Sequence, residues 1–340
     1  MTRRINYFLI FLIIALIVFA ITACTNKGMS LQPGNISENE NQTTKDKITV
    51  DGKEIKSALA VETFLADIAQ NIAGSRLIIY SLMPVGIDPH EFEPVPGDFA
   101  RISKNKILII NGSGFEGWLE QMLKNAGNNN YIIEASKGLG NKVDLQSKNN
   151  PKNNKTSETE KKQSEIDPHF WLDPLYVIEY VKNISSELIK IDSGSKDIYE
   201  SNSQKYIKQL EDLDKWIQDR TSILPESKKL IATNHESLGY FADRYGFKIA
   251  GTIIPGFSTD ASITAREFAQ LIETVQSSGV KVIFLETGST PNLAEQLAAE
   301  TGIKVVYNLY THSLSDPGGE AATYINMMKF NVNTIVNNLQ

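Results

Sequence analysis

The sequence predicts an α/β protein with parallel sheets in two halves and one long helix between them. In each half, short apolar runs alternate with helical segments of about ten residues, which is typical of parallel sheets covered on both faces. A long stretch of helical periodicity separates the halves. The body of about 290 residues is large enough for two domains of ordinary size.

The first half begins after residue 47 and contains four candidate strands. Between the first two we expect an apolar helix, Ala58–Ile72, which ends at Gly74. A second helix, Phe115–Leu123, follows the third strand. The four strands are expected at Ile48–Val50, Leu77–Leu82, Lys106–Ile110 and Tyr131–Ile133.

The segment between the halves, residues 193–221, is predicted to form a single helix. Its apolar residues recur at steps of seven, four, three and four, which places them on one helical face. They are Tyr199, Tyr206, Leu210, Leu213 and Ile217. At 1.5 Å per residue such a helix is about 40 Å long, so we expect a rigid spine between the halves.

The second half, residues 222–340, continues the alternation and predicts a second parallel sheet. The expected strands are Lys229–Ala232, Lys248–Ile253, Lys281–Leu285 and Lys304–Asn308. The expected helices are Leu238–Tyr245, Ala265–Ser277 and Pro291–Thr301. Residues 48–192 and 222–340 are therefore predicted to form an N-terminal and a C-terminal lobe.

The N-terminus predicts export and attachment to a membrane. Arg3 and Arg4 precede the uncharged stretch Tyr7–Ala23, whose small last residues stand directly before Cys24. This pattern is that of a secretory signal at residues 1–23. Its end resembles a bacterial lipobox, in which Cys24 is lipidated and becomes the first mature residue. The alternative is an uncleaved membrane anchor, and in both cases the body of the protein faces outward.

Two segments lack the apolar residues that folding requires. Residues 24–47 are rich in Asn, Glu, Thr and Lys, and residues 141–166 contain six lysines, five asparagines and only three aliphatic side chains. Such compositions cannot offset the entropy lost on ordering. We expect a flexible, lipid-anchored tether at 24–47 and a mobile loop within the N-terminal lobe at 141–166.

Charge and cysteine content exclude several kinds of partner and site. Cys24 is the only cysteine, so the mature chain has neither disulfides nor thiolate metal ligands once Cys24 is lipidated. The net charge of −6 becomes −8 when Arg3 and Arg4 leave with the signal. An acidic chain of this kind argues against a nucleic-acid partner.

The four histidines of the chain indicate a metal site. His90, His235 and His312 each follow an expected strand, and His169 precedes a helix that Asp173-Pro174 would start. Ligands of open parallel sheets bind beyond the carboxyl ends of the strands, so these turns are expected to meet. Imidazole is the commonest metal-ligating side chain, and four nitrogen ligands suit tetrahedral zinc.

Both histidines of the first half lie in the sequence Asp-Pro-His. Asp88 and Asp167 stand two residues before His90 and His169. Proline disfavours helix in the residue before it, which holds the chain extended ahead of each histidine. A histidine fixed in this way loses less entropy when it binds metal.

Three motifs resemble the signatures of one protein family. They are Pro89-His90-Glu91-Phe92-Glu93-Pro94, Asn111-Gly112-Ser113-Gly114-Phe115-Glu116-Gly117-Trp118-Leu119 and Asp167-Pro168-His169-Phe170-Trp171-Leu172-Asp173-Pro174. In this order they are similar to the zinc/manganese substrate-binding lipoproteins of ABC transporters, the cluster A-I or helical-backbone metal receptors. The resemblance covers essentially the whole mature chain. It implies two (β/α)4-like lobes, each with a parallel sheet, joined by one long backbone helix, with the metal between the lobes.

Residue by residue, the resemblance implies metal ligands at His90, His169, His235 and His312. The family's third ligand is histidine in zinc binders and glutamate in many manganese binders, and it falls on His235. The fourth is usually aspartate, but this chain has His312 there, so Asp316 remains an alternative fourth ligand.

Acidic residues near the histidines have a second expected role. Glu236 and Glu286 are further alternatives as the fourth ligand. Ligating histidines usually donate their other N–H group to a carboxylate. Glu236, Glu286 and Asp260 are therefore candidates to accept these hydrogen bonds.

Four neutral imidazoles favour zinc, because manganese prefers carboxylate oxygen and binds nitrogen sites more weakly. We expect Zn2+ as the transported ligand, with Mn2+ or Fe2+ as alternatives.

Many zinc members of the family carry a histidine-rich insertion where 141–166 lies. This segment has no histidine, so we expect no metal collection by the loop. The resemblance implies an extracytoplasmic, non-enzymatic receptor that delivers metal to an ABC permease, and we expect a monomer.

Three other functions stay open from the sequence. A secreted zinc hydrolase would use Glu236 beside His235 as general base, but HExxH and HxxEH pairings are absent from the chain. Four protein ligands also leave no open position for a catalytic water. An adhesive surface protein fits the lipid tether, and a receptor for chelated metal fits the helical spine, but the sequence has no feature specific to either.

Overall fold

The computed structural model describes residues 48–50, 53–125, 130–140, 166–260 and 262–340. These form two α/β lobes around parallel four-stranded sheets, joined by one long helix, which confirms the predicted fold class. The predicted signal at 1–23, the tether at 24–47 with Cys24, and all of the loop 141–166 except Ile166 lie outside the described residues.

In the residues that the structure describes, the N-terminal lobe alternates strands and helices. The strands are β1 (Thr49–Val50), β2 (Lys53–Glu54), β3 (Ser57–Ala60), β4 (Ile78–Ser81), β5 (Ile107–Ile110) and β6 (Tyr131–Glu134). The helices are α1 (Thr63–Ala73), α2 (Pro96–Lys104), α3 (Gly117–Asn125) and α4 (Pro174–Ile191). The parallel sheet has the order β4-β3-β5-β6, and β1 pairs with β2 in a separate antiparallel ribbon.

The start of this lobe differs from the sequence-based expectation. The predicted helix Ala58–Ile72 begins only at Thr63, because Ala58 to Ala60 belong to the central strand β3. These residues are buried, and a short, continuous apolar run does not distinguish strand from helix by periodicity. The predicted strand Ile48–Val50 pairs with β2 and does not enter the main sheet. Helix α2 was not predicted, since it buries only Ile102.

The long helix between the lobes is α5 (Lys196–Thr221). The five apolar residues that predicted it are all buried, at positions 199, 206, 210, 213 and 217. It packs against α1 and α4 of the N-terminal lobe. The helix therefore has a buried face along much of its length, as its spacing indicated.

The C-terminal lobe repeats the alternation of strand and helix. Its elements are β7 (Leu230–Thr233), α6 (Gly239–Tyr245), β8 (Lys248–Thr252), α7 (Ala265–Ser278), β9 (Val282–Glu286), α8 (Asn292–Thr301), β10 (Lys304–Leu309) and α9 (Tyr324–Leu339). The parallel sheet has the order β10-β9-β7-β8, and α9 packs back onto α5. The strands and helices predicted for this lobe are confirmed, with bounds shifted by at most one residue.

Buried side chains connect the two lobes. Trp171 stacks on Phe64 with ring centroids 4.5 Å apart, and its Nε1 donates to the carbonyl of Thr311 in the other lobe at 2.6 Å. The hydroxyl of Tyr324, also in the C-terminal lobe, donates to the carbonyl of Trp171 at 2.6 Å.

Within the described part of the chain, no helix is both long and apolar enough to cross a bilayer.

Candidate metal centre

All four histidines of the chain meet between the lobes. Their ligand nitrogens lie within 4.8 Å of one another. The Nε2 atom of His169 is 3.3 Å from the Nε2 atoms of His90, His235 and His312. His169, His235 and His312 are buried, whereas His90 is half-buried. The group therefore has one histidine toward the surface and three inside.

The ends of strands bring these histidines together. His90 lies in the loop after β4, His235 two residues after β7, and His312 three residues after β10. His169 directly precedes a 3-10 turn, Phe170–Leu172, which leads into α4. The side chain of Asp173 caps that helix by accepting from the backbone N–H of Leu175 at 2.8 Å, as the Asp-Pro pair predicted.

In each of the two Asp-Pro-His sequences, the aspartate accepts a hydrogen bond from the backbone N–H of the histidine. Asp167 Oδ1 accepts the backbone N–H of His169 at 2.9 Å and lies 2.7 Å from its Nδ1. Asp88 Oδ1 accepts the backbone N–H of His90 at 2.9 Å. The other oxygen of Asp88 accepts from the hydroxyl of Thr259 in the C-terminal lobe, also at 2.9 Å. Asp88 thus links the His90 turn to the opposite lobe.

Glu286 approaches both histidines of the C-terminal lobe. Its Oε2 lies 2.9 Å from Nδ1 of His235 and 3.4 Å from Nδ1 of His312. Its Oε1 accepts from the hydroxyl of Ser237 at 2.6 Å. These contacts place a negative charge beside two imidazoles in a buried site.

Burial and this charge set the protonation of the imidazoles. Burial lowers the pKa of His90 and holds the pKa values of His169 and His312 well below the ordinary histidine value. Burial also acts to lower the pKa of His235, but the carboxylates of Glu286, Asp88 and Asp167 together outweigh it, and the net pKa is raised. The rings of His90, His169 and His312 are therefore neutral at neutral pH and could bind a metal ion. At His235 a metal ion would have to compete with a proton.

The other predicted acidic residues take different positions. Asp316, the alternative fourth ligand, is exposed and is not part of the four-histidine group. Glu236 accepts from the backbone N–H of Gly256 at 3.2 Å, and Asp260 is exposed at the cleft. Of the three expected acceptors, Glu286 approaches imidazole N–H positions. Asp167 also approaches an imidazole N–H position, and the sequence analysis did not name it as an acceptor. Its position two residues before His169 was the signal that could have identified it.

A cavity of about 410 Å³ leads from the surface to the half-buried His90. His90 forms part of its wall, together with the aromatic side chains of Phe92, Phe115 and Trp118. Asp260 and Phe257 contribute from the C-terminal lobe. The ring of Phe115 meets His90 edge-on with centroids 4.9 Å apart. The geometry gives an ion a path to His90 before the three buried rings.

Known proteins match nearly all of this part of the chain. The family described as ZnuA, zinc-uptake complex component A, periplasmic, matches residues 59–338. A metal ABC transporter substrate-binding lipoprotein of Lactococcus lactis is 31% identical over 339 residues, covering 98% of this chain and 97% of that protein. The manganese-binding lipoprotein MntA of Halalkalibacterium halodurans is 29% identical over 289 residues, covering 85% and 90%.

Solved structures share the fold. The periplasmic zinc-binding protein TroA of Treponema pallidum matches with a TM-score of 0.73 at 22% identity, over 84% of this chain and 99% of that protein. The two-lobe fold is therefore one already known among periplasmic metal-binding proteins. With the family match spanning most of its length, the chain belongs to the ZnuA family, the metal-binding substrate-binding lipoproteins of ABC transporters.

Proposed function

We propose that the protein captures one zinc ion through the Nε2 atoms of His90, His169, His235 and His312. The observation that carries this proposal is the spacing of these atoms. A tetrahedral zinc site with Zn–N bonds of 2.0–2.1 Å has ligand nitrogens about 3.3–3.4 Å apart. The three distances from His169 are each 3.3 Å. These are three of the six distances among the four nitrogens, and their match to ordinary Zn–N bond lengths supports the proposal.

The chemistry of the donor set supports zinc over manganese. All four members of the group are imidazoles, and the carboxylates of Asp167 and Glu286 face Nδ1 atoms at the outer side of the rings. Manganese prefers oxygen ligands and lies below zinc in affinity for nitrogen. Several relatives have names that assign them manganese, so manganese is the competing ion in the test below.

The family sets the biological role. The protein is an extracytoplasmic, membrane-anchored lipoprotein that binds metal and works with an ABC transporter. In the proposal, Cys24 carries the lipid, residues 24–47 form the tether, and the monomer delivers zinc to the transporter's permease. Residues 48–192 and 222–340 serve as the two metal-binding lobes, with 193–221 as the linking helix.

The proposal assigns no enzymatic activity to the site. Catalytic zinc keeps an open coordination position for water, whereas four imidazoles fill a tetrahedral ion. Glu236, the candidate general base, points its carboxylate to the backbone of Gly256. Zinc-loaded protein is expected to hydrolyse neither ester nor peptide substrates, and zinc-dependent turnover would contradict this assignment.

The test is a competition between two metals on lipid-free protein, residues 25–340. Isothermal titration calorimetry with a competing chelator is expected to show one zinc per chain and at least 100-fold weaker manganese binding. A His90→Ala/His169→Ala double variant serves as the control that lacks two ligands. Manganese binding as tight as zinc binding would overturn the metal assignment, and unchanged zinc binding by the double variant would overturn the site.

A further inference from the structure

Glu286 occupies a central place in the C-terminal half of the site. It is the last residue of β9, the strand that lies between β7 and β10 in the sheet. His235 follows β7, and His312 follows β10. The carboxylate therefore stands between the two turns that present this lobe's histidines.

The contacts of Glu286 are few and directed. Its side chain is 1% exposed, and one oxygen, Oε1, is held by the Ser237 hydroxyl at 2.6 Å. The other oxygen, Oε2, faces Nδ1 of His235 at 2.9 Å and Nδ1 of His312 at 3.4 Å. Within the described residues neither Oε2 nor Nδ1 of His235 has a hydrogen-bond partner of regular angle. The 2.9 Å between Oε2 and Nδ1 of His235 is nevertheless a hydrogen-bond distance.

We propose that Glu286 is a positioning residue that presets both histidines of the C-terminal lobe as a ready-made pair of metal ligands. This inference rests on the proposed four-histidine site and adds the way in which half of it is assembled. A carboxylate can only accept hydrogen bonds, so an imidazole that bonds to it does so through an Nδ1–H. Thr311 Oγ1 also lies 3.2 Å from Nδ1 of His312 and, like the carboxylate, can accept from an Nδ1–H there. With the proton of each ring on Nδ1, the Nε2 lone pairs of both histidines face the metal position.

The charge of Glu286 has a second effect. Four neutral imidazoles leave the full charge of a dication inside the protein, and burying an uncompensated charge is costly. The carboxylate is separated from the metal position only by the rings of His235 and His312. It therefore offsets part of the positive charge while leaving all four metal bonds to nitrogen, which preserves the preference for zinc.

Glutamine at this position is informative because it has nearly the shape of glutamate. Its amide oxygen accepts one Nδ1–H, but its NH2 group only donates. In Glu286→Gln, one of the two rings therefore either loses its hydrogen bond or takes the opposite tautomer, with the proton on Nε2. The second outcome removes a metal ligand. Loss of such outer partners typically weakens metal binding 10–100-fold.

The experiment compares Glu286→Gln with Glu236→Gln. Both remove one negative charge near His235, but Glu236 accepts from the Gly256 backbone rather than facing an imidazole. Zinc dissociation constants are measured by chelator competition, and the imidazole nitrogens of the zinc-loaded proteins are assigned by 15N NMR. We expect a 10–100-fold weaker zinc affinity for Glu286→Gln, and less than about threefold for Glu236→Gln.

Two results would overturn the inference while leaving the zinc site intact. One is equal zinc affinity for Glu286→Gln and Glu236→Gln. The other needs only the wild-type protein: His235 or His312 ligating zinc through Nδ1, or lacking an Nδ1 proton in the zinc-loaded state. This second measurement decides the matter even if Glu286→Gln does not fold. Failure of the wild-type protein to bind zinc would instead count against the proposed function itself.

Discussion

Asp167 holds His169 at two points with a single oxygen: its Oδ1 accepts the backbone N–H at 2.9 Å and lies 2.7 Å from Nδ1 of the ring. Burial raises the pKa of Asp167 to about 7, an effect that the His169 backbone N–H partly offsets. The equivalent Asp88 accepts the backbone N–H of His90 with one oxygen, and its other oxygen accepts from the hydroxyl of Thr259. His169 is thus fixed in main chain and ring, whereas the ring of His90 stands at the cavity wall.

Zinc affinity is expected to depend on pH, because only neutral imidazole binds metal. The raised pKa of His235 means that its proton competes first as pH falls toward 6, costing up to about tenfold in affinity per pH unit. The pKa values of His90, His169 and His312 are lowered, so their protons compete only at more acidic pH and steepen the loss. Chelator competition from pH 7.5 to 5 measures this. Constant affinity over that range would exclude histidine ligation.

Trp171→Phe is expected to weaken the contact between the lobes. The change leaves the carbonyl of Thr311 without its buried donor and opens space beside Phe64, for a combined cost of about 2–4 kcal/mol. Urea unfolding of the zinc-free protein measures the loss. Trp216→Phe, at a half-buried position of α5, is the control and is expected to cost about 1 kcal/mol or less. Equal losses in the two variants would show that the hydrogen bond between the lobes adds nothing measurable to the free energy of unfolding.

Much of this architecture follows from local patterns in the sequence. The spacing of Tyr199, Tyr206 and Leu210 identified the linking helix, because a buried face must recur every three or four residues. The meeting of the histidine turns was predicted because strands of parallel sheets end at a common edge. The strand Ser57–Ala60 was missed, since its last three residues are apolar and buried and it runs almost directly into α1.

Contacts between distant segments lay beyond such patterns. Asp88 and Thr259 are separated by 171 positions, and only the packing of one lobe on the other brings them together. Glu286 was one of the three candidate acceptors named from the sequence. Glu286, and not Glu236, faces the imidazoles because β9 lies between β7 and β10 in the sheet. The order of strands in a sheet cannot be deduced from the spacing of residues in the sequence.

Thr259→Val is expected to speed the release of zinc. The hydroxyl of Thr259 donates to Asp88, whose other oxygen holds the backbone of His90. Loss of a hydrogen bond to a charged group costs about 1.5 kcal/mol or more, so dissociation should accelerate about tenfold. Stopped-flow transfer of zinc to a chelator measures the rate. Thr274→Val makes the same chemical change at an exposed position of α7, and equal rates for both variants would refute the link.

Glu62→Gln tests a buried pair of carboxyl groups in the N-terminal lobe. Both oxygens of Glu62 lack a hydrogen-bond partner in the described residues, and Glu116 accepts the backbone N–H groups of Asn111 and Gly112. Burial raises the pKa of Glu116 to about 7 and that of Glu62 well above its ordinary value. A raised carboxyl pKa stabilises the fold at acidic pH, and this stability is lost as pH rises toward 7.

Glutamine remains neutral, so Glu62→Gln should gain stability relative to wild type between pH 5 and pH 8. The expected change is on the order of 1–3 kcal/mol. Urea unfolding of zinc-free protein at both pH values measures it, with Glu273→Gln at an exposed position of α7 as the control. If the difference between Glu62→Gln and wild type were the same at both pH values, the shared burial of the two acids would not control their protonation.

The central claim, that four imidazoles enclose one zinc ion, is tested most directly by X-ray absorption at the zinc K edge. Lipid-free protein loaded with one equivalent of zinc is the sample. The structure predicts four nitrogen neighbours at about 2.0–2.1 Å with the multiple scattering of four imidazole rings. A first shell with two or fewer imidazoles, or one dominated by oxygen, would contradict it.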